Sequence, residues 1–216
     1  MKQTEKHLQD LSEIRQIMER STKFLSLSGW AGILAGILAI LGTAAAFLYL
    51  DNRAISYETL LTMPRGDAAN APLSFLIADA MIVLVLALSG AVFFSYRKAK
   101  KSGEKIWSPV TKRLVIQLAV PLVTGGILVL ILAGQRNVHL VAPFTLVFYG
   151  LALVNAGKYT TREIVWLGIA QIATGLAATG WSQHGLWFWG AGFGIYHIIY
   201  GITLYHKYDR KTVAHG

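Results

Sequence analysis

Six long apolar runs alternate with short polar segments along the chain, and this pattern predicts an all-α membrane protein. A helix of about twenty apolar residues is long enough to cross a bilayer, and each run reaches or approaches that length. The predicted spans are approximately 24–50, 72–96, 112–133, 138–156, 162–181 and 185–205. Together they form one predicted six-helix membrane domain over residues 24–206.

The segments at the two ends of the chain are polar. Residues 1–23 are charged, but apolar residues three or four positions apart form the stripe of an amphipathic helix: Leu8, Leu11, Ile14 and Met18. Such a helix lies on the membrane surface or against its own bundle, or it offers a contact surface to a second protomer or a protein partner. Residues 207–216 are predicted to form a basic tail.

One side of each of the last two predicted spans is rich in small residues. In span 185–205 this side consists of Trp187, Gly190, Gly194, His197 and Gly201, all within about 80° on a helix. Span 162–181 repeats the spacing with Gly168, Gln171, Gly175, Ala178 and Ser182. Because small residues allow membrane helices to pack closely, the two seams are predicted to face each other as an antiparallel hairpin. The predicted register places Gly168 opposite Gly201, Gln171 opposite His197, Gly175 opposite Gly194, and Ala178 opposite Gly190.

His197 is the one imidazole and Gln171 the one amide of these seams, and two interpretations are open. In the structural one, a hydrogen bond between them satisfies two groups that would otherwise be buried unpaired. In the functional one, His197 is a ligand or proton site, because imidazole titrates near physiological pH. Tyr196 and Tyr200 would then extend a polar network. No haem is predicted, because the other histidines lie at span ends or outside the spans: His7, His139, His184, His206 and His215.

Asp79 is the other ionisable side chain that the pattern places inside a span, about 9 Å from its start. An unpaired carboxylate is costly there, at roughly 2.5 to 3.5 kcal/mol for the bilayer centre and less at its actual depth. A structural ion pair or hydrogen bond is one interpretation, with partners at matching depth: Arg136, Asn137 and His139. A binding or proton-coupling carboxylate is the other. Metal ligation with His139 and His184 has no supporting spacing signature, so no metal site is predicted.

Composition and charge agree with a membrane assignment. Hydrophobic residues make up 54% of the chain, charged residues 14%, and the mean hydropathy is +0.49. The net charge of +9 does not indicate a nucleic-acid partner, because the basic residues lie between the apolar runs. Alternate segments hold 17 and 3 of the 20 Lys and Arg residues, so the positive-inside rule predicts that both termini are cytoplasmic. Residues 97–113 hold seven of them. Within this segment, one run of basic residues is either a topology determinant or a contact for anionic membrane lipids: Arg97, Lys98, Lys100, Lys101 and Lys105.

No catalytic motif occurs in the sequence. It contains no phosphate loop, no nucleophile elbow and no H-E-x-x-H pair, and the absence of cysteine excludes disulfides and thiolate metal sites. We therefore expect no catalytic residue, cofactor or metal. The favoured hypothesis is a non-enzymatic integral membrane protein that acts as a binding, scaffold or regulatory module. The alternative is a small proton-coupled transporter or ligand-binding membrane protein that uses Asp79 and His197.

Three segments resemble a family of uncharacterised bacterial multi-pass membrane proteins. They are residues 14–29 (IRQIMERSTKFLSLSG), 150–160 (GLALVNAGKYT) and 192–210 (GFGIYHIIYGITLYHKYDR). The resemblance implies a shared six-span fold in the bacterial inner (plasma) membrane. It implies no activity, no cofactor and no site residue.

Overall fold

A computed structural model describes residues 27–64, 66–103 and 107–210, without the side chains of residues 67–69. The predicted amphipathic helix of residues 1–23 lies outside this part of the chain. So do residues 211–216 of the predicted tail.

The described residues form an all-α fold, as the sequence predicts. In chain order the helices are α1 (Gly29–Asp51), α2 (Tyr57–Thr62), α3 (Asp67–Lys101), α4 (Pro109–Gly134), α5 (Val141–Ala156) and α6 (Arg162–Gly180). A last stretch of continuous helix, the terminal run, covers residues 185–209. Among the described residues, five helical stretches are long and apolar enough to cross a membrane, one each at α1, α3, α4, α5 and α6.

Some helices extend into polar residues, and their ends therefore differ from the ends of the predicted spans. The largest difference is at α3, which has 35 residues and extends at both ends beyond the predicted span 72–96. Its last turn holds three lysines, whose charge is favourable at a helix C-terminus. The long polar loop after α1 also contains the short helix α2. Ser56 caps α2 by accepting a hydrogen bond from the Thr59 N–H at 3.0 Å, and the helix buries Tyr57 and Leu60.

The terminal run changes its helical pitch three times. It consists of α7 (Gly185–Trp189), a π-helical segment (Gly190–Tyr196), α8 (His197–Leu204) and a second π-helical segment (Tyr205–Asp209). Three glycines lie in the first π-helical segment, and glycine is a weak former of the regular α-helix. π-Helical turns inside α-helices are rare and often lie at functional sites. The helix also continues to Asp209, where the sequence analysis predicted a tail from residue 207.

α1 packs between α3 and the terminal run, and its small residues face the small residues of that run. A Cβ atom added at Gly32 would lie 2.9 Å from the Gly201 Cα, and one added at Gly36 would lie 2.6 Å from the Gly194 carbonyl oxygen. Gly190 approaches Thr43 in the same way, with 2.9 Å from its added Cβ to the Thr43 Cγ2. The seam of the terminal run is therefore filled by α1.

The small residues of α6 face α5 instead, so the predicted register between the last two spans is wrong. A Cβ atom added at Gly168 would lie 2.8 Å from the Gly150 carbonyl oxygen, and one added at Gly175 would lie 2.8 Å from the Pro143 carbonyl oxygen. The physical reason is that several spans carry small residues at the same helical spacing. Spacing identifies the face that packs closely, but it does not select the partner helix.

One end of the bundle is held by the carboxylate of Asp209. It accepts hydrogen bonds from the Gly29 N–H at 2.9 Å and the Ser28 hydroxyl at 3.4 Å, and it pairs with the Lys98 ammonium at 2.7 Å. Lys98 also donates to the Leu27 carbonyl oxygen at 2.7 Å. This group, the Asp209 clasp, joins the start of α1, the end of α3 and the end of the terminal run.

Candidate functional site

Buried polar side chains from α5 and α6 meet the first π-helical segment in the middle of the bundle. His197 follows directly after this segment, and its imidazole lies close to the backbone carbonyl of Gly192. Tyr149 of α5 and Gln171 of α6 approach from the neighbouring helices. We call these four residues the Gly192 cluster.

Both ring nitrogens of His197 are engaged, and the residue is only 6% exposed. Its Nδ1 lies 3.1 Å from the Gly192 carbonyl oxygen, and its Nε2 lies 2.6 Å from the Tyr149 hydroxyl. A carbonyl oxygen can only accept a hydrogen bond, so Nδ1 carries the proton. In the neutral ring Nε2 then accepts from the Tyr149 hydroxyl. The surrounding groups therefore select one tautomer of the imidazole.

Gln171 bonds to the same carbonyl. Its Nε2 donates to the Gly192 oxygen at 2.8 Å, and the side chain is fully buried. The Gln171 Oε1 atom has no hydrogen-bond partner among the described residues. The Gly192 carbonyl thus receives two side-chain donors, one from its own helix and one from α6.

The structure changes the predicted pairing of Gln171 with His197. The two side chains meet at the Gly192 carbonyl instead of bonding to each other. The tyrosines expected to extend the network do not join it: Tyr196 accepts from the Thr174 hydroxyl at 3.1 Å, and the Tyr200 hydroxyl is buried near Thr161 at the start of α6. The polar site around His197 is therefore smaller than predicted.

Tyr149 is the member that sequence analysis missed. It lies within the otherwise apolar segment of α5, next to Gly150. A phenol in the middle of an apolar span is a signal comparable to a mid-span histidine, because a buried hydroxyl usually has a partner. The role of the Gly192 carbonyl could not be predicted from the sequence, because the carbonyl becomes available as a hydrogen-bond acceptor only through the change to π-helical pitch.

Asp79 lies apart from the Gly192 cluster. A Cβ atom added at Gly42 of α1 would lie 3.2 Å from the Asp79 Oδ2, so the carboxyl group rests against the α1 backbone. In the part of the chain that the structure describes, no hydrogen bond or ion pair reaches it. Of the predicted partners, Arg136 donates to the Asn70 Oδ1 atom of α3 instead. The expected structural pair of Asp79 with Arg136, Asn137 or His139 is therefore not formed within the described residues.

A cavity of about 430 Å³ lies between α2 and the start of the terminal run. It is lined by Phe47, Ser56, Tyr57, Glu58, Gln183, His184, Leu186 and Trp187. Burial raises the pKa of Tyr57 to about 12, so this hydroxyl stays neutral at physiological pH. None of the residues predicted as ligand or proton sites lines this cavity.

The Gly192 cluster can hold His197 in one tautomer and one rotamer, but it leaves little room for a metal ion or a ligand to bind the imidazole. Both imidazole nitrogens point at protein groups, so a metal ion or ligand would have to displace Tyr149 or break the contact with Gly192. Among the described residues no three His, Asp or Glu side chains come together as a metal site. The absence of a metal or cofactor in the protein stays a prediction.

Comparison of the chain with protein-family models, with curated proteins and with solved structures finds no match in any of the three. No activity, ligand or partner can therefore be transferred from a relative.

Replacing Tyr149 by phenylalanine should destabilise the protein by about 1 to 2 kcal/mol, because it leaves the buried His197 Nε2 without a donor. The free energy of unfolding in mixed detergent micelles measures the loss. The control is Tyr96→Phe, since Tyr96 is 54% exposed and its substitution should change stability by less than about 0.5 kcal/mol. Equal effects of the two substitutions would show that the Tyr149 hydroxyl contributes nothing to the cluster.

Proposed function

We propose that the chain is a non-enzymatic integral membrane protein that acts as a binding, scaffold or regulatory module. The observation that carries this proposal is the closure of the Gly192 cluster. His197 is the most prominent candidate for mid-membrane chemistry, and both of its nitrogens are bonded within the protein. A group that is buried and satisfied in this way contributes to packing and specificity.

We also propose six crossings of the bacterial inner membrane with both termini in the cytoplasm. The terminal run supports the sixth crossing, because it is a continuous helix of 25 residues and about twenty are enough to cross a bilayer. The distribution of Lys and Arg supports the orientation. The bacterial location rests on the sequence resemblance to bacterial multi-pass membrane proteins.

Single cysteines test this orientation, because the chain has no native cysteine. A membrane-impermeant maleimide added to intact cells should label a cysteine at Ala68 and should not label one at Ser102 or Thr212. Permeabilised cells provide the control, since all three positions should then react. Labelling of position 102 or 212 in intact cells would overturn the proposed topology.

The proposed contacts of the module lie at its cytoplasmic side. Residues 1–23 would contact a protein partner or a second protomer, and the basic residues of segment 97–113 would contact anionic lipid head groups. The Asp209 clasp, which joins α1, α3 and the terminal run, would connect these contacts to the membrane domain.

A proton-coupled transporter is the second candidate, and the unpaired carboxyl of Asp79 is the observation that favours it. Ionisable groups inside a membrane are often functional. However, Asp79 rests against Gly42 of α1, whereas His197 contacts Tyr149 and Gly192. The two candidate groups share no neighbour in these contacts, so they do not form one polar site.

Asp79→Asn and His197→Gln distinguish the two functions, because both substitutions retain hydrogen bonding and remove a titratable group. For a module without transport, both variants should keep the fold, the oligomeric state and any partner binding through residues 1–23 between pH 5 and pH 8. Proteoliposomes with an internal pH dye should show the same proton leak for the wild type, both variants and protein-free vesicles. If the wild type shows a pH-dependent flux and a folded variant loses it, the module hypothesis is wrong and the transporter hypothesis takes its place.

A further inference from the structure

Asp79 begins a regular stripe of residues along α3. The positions that follow it at alternating steps of three and four lie on the same side of the helix: Ile82, Leu86, Ser89, Phe93 and Tyr96. Four of these residues are about half exposed, at 59% for Ile82, 49% for Leu86, 59% for Phe93 and 54% for Tyr96. We call this stripe the Asp79 face.

Asp79 is only partly buried and lies within the long apolar stretch of α3. It rests against Gly42, which lies nine residues before the end of α1 at Asp51, or about 13 Å along the helix. No described side chain donates a hydrogen bond to it or pairs with it. Lipid tails can cover exposed apolar side chains, but they cannot form a hydrogen bond or an ion pair with a carboxyl group.

From this placement we infer that the Asp79 face is the docking surface for a transmembrane helix of another protein, which brings a Lys or Arg side chain to Asp79. This inference rests on the proposed function as a binding module. The charge of Asp79 selects a basic partner, and the three-four spacing selects a helix that lies along α3. The partner would gain a hydrogen-bonded ion pair in hydrocarbon and contacts with the apolar residues that follow Asp79.

A second copy of this chain would not bring a basic side chain to Asp79. Two parallel α3 helices packed through this face would bring two Asp79 carboxyl groups together. The basic side chains of the described residues lie at or near the ends of the apolar helices, and His197 is buried and bonded. Charge complementarity therefore favours a different protein as the occupant.

The test uses a synthetic transmembrane helix as the partner. The full chain, with a donor dye on a single cysteine at position 102, is reconstituted with a 23-residue Leu-Ala peptide that carries an acceptor dye. One peptide has a lysine nine residues from one end, and the matched peptide has leucine there. Förster transfer should reach half-maximum at a roughly tenfold lower peptide-to-lipid ratio with the lysine peptide. Asp79→Leu should abolish this preference, and Ser89→Leu on the same face should retain it.

Two results would overturn the inference. One is equal transfer with the lysine and leucine peptides, or a lysine preference that survives in Asp79→Leu. The other is transfer between donor-labelled and acceptor-labelled copies of the chain that Asp79→Leu removes, which would make a second copy the occupant. Asp79→Asn is tested in parallel, because it keeps the size of the side chain if the leucine variant fails to fold. A pH-dependent flux in the same vesicles would refute the module itself, whereas loss of the peptide preference alone refutes only this docking surface.

Discussion

Asp209→Ala should lower the free energy of unfolding by roughly 3 kcal/mol. The substitution removes the carboxylate that pairs with Lys98 and accepts from the Gly29 N–H at the start of α1. The side chains of Lys98 and Asp209 are only 16% and 12% exposed, so the remaining ammonium group cannot turn freely into water. Loss of a buried partner leaves an uncompensated charge and an uncapped helix start, and both effects destabilise the protein.

Glu163→Ala is the matched control for the clasp. Glu163 also pairs with a lysine near the end of the terminal run, but that lysine, Lys207, is 56% exposed and can be solvated when its partner is removed. Its loss should therefore cost less than about 1 kcal/mol. Unfolding of both variants in mixed detergent micelles gives the comparison, and addition of Lys98→Met to Asp209→Ala should recover part of the loss. Similar losses in the two alanine variants would contradict the role of the clasp.

The sequence predicted the helical class and the location of the long apolar helices because both follow from local patterns. Apolar run length and three-four spacing depend on residues that are close together in the chain. The same spacing correctly identified the close-packing faces that contain Gly168 and Gly201. It did not predict which helices pack against each other through these faces. Four helices have small residues at this spacing, and the sequence does not show which pairs of them are in contact.

The candidate site was predictable only in part, for a similar reason. His197 and Gln171 were identified because polar groups are rare inside apolar spans. Their common partner is a backbone carbonyl, which has no residue-type signal and becomes available through the pitch of the helix around Gly192. The Asp209 clasp also joins residues about 180 positions apart, with Ser28 and Gly29 at its other side. No local pattern indicates such a contact.

Gly201→Ala should cost about 3 kcal/mol, although it adds only one methyl group. A Cβ atom at position 201 would lie 2.5 Å from the Ile33 nitrogen and 2.6 Å from the Gly29 carbonyl oxygen. Both are backbone atoms of α1, so no side-chain rotation can relieve the overlap. The two helices would have to separate, and the contacts along their shared seam would weaken together.

Gly126→Ala separates this steric effect from the intrinsic effect of adding a methyl group to a membrane helix. Apart from the nearby backbone of α4 itself, no atom lies within 4 Å of a Cβ added at Gly126, so this substitution should be neutral or stabilise by up to about 1 kcal/mol through helix propensity. Free energies of unfolding in detergent measure both variants, and cysteine crosslinking between α1 and the terminal run reports their separation. If Gly201→Ala proved as harmless as Gly126→Ala, the terminal run would not pack against α1 at backbone contact, and the arrangement of the bundle around α1 would have to be revised.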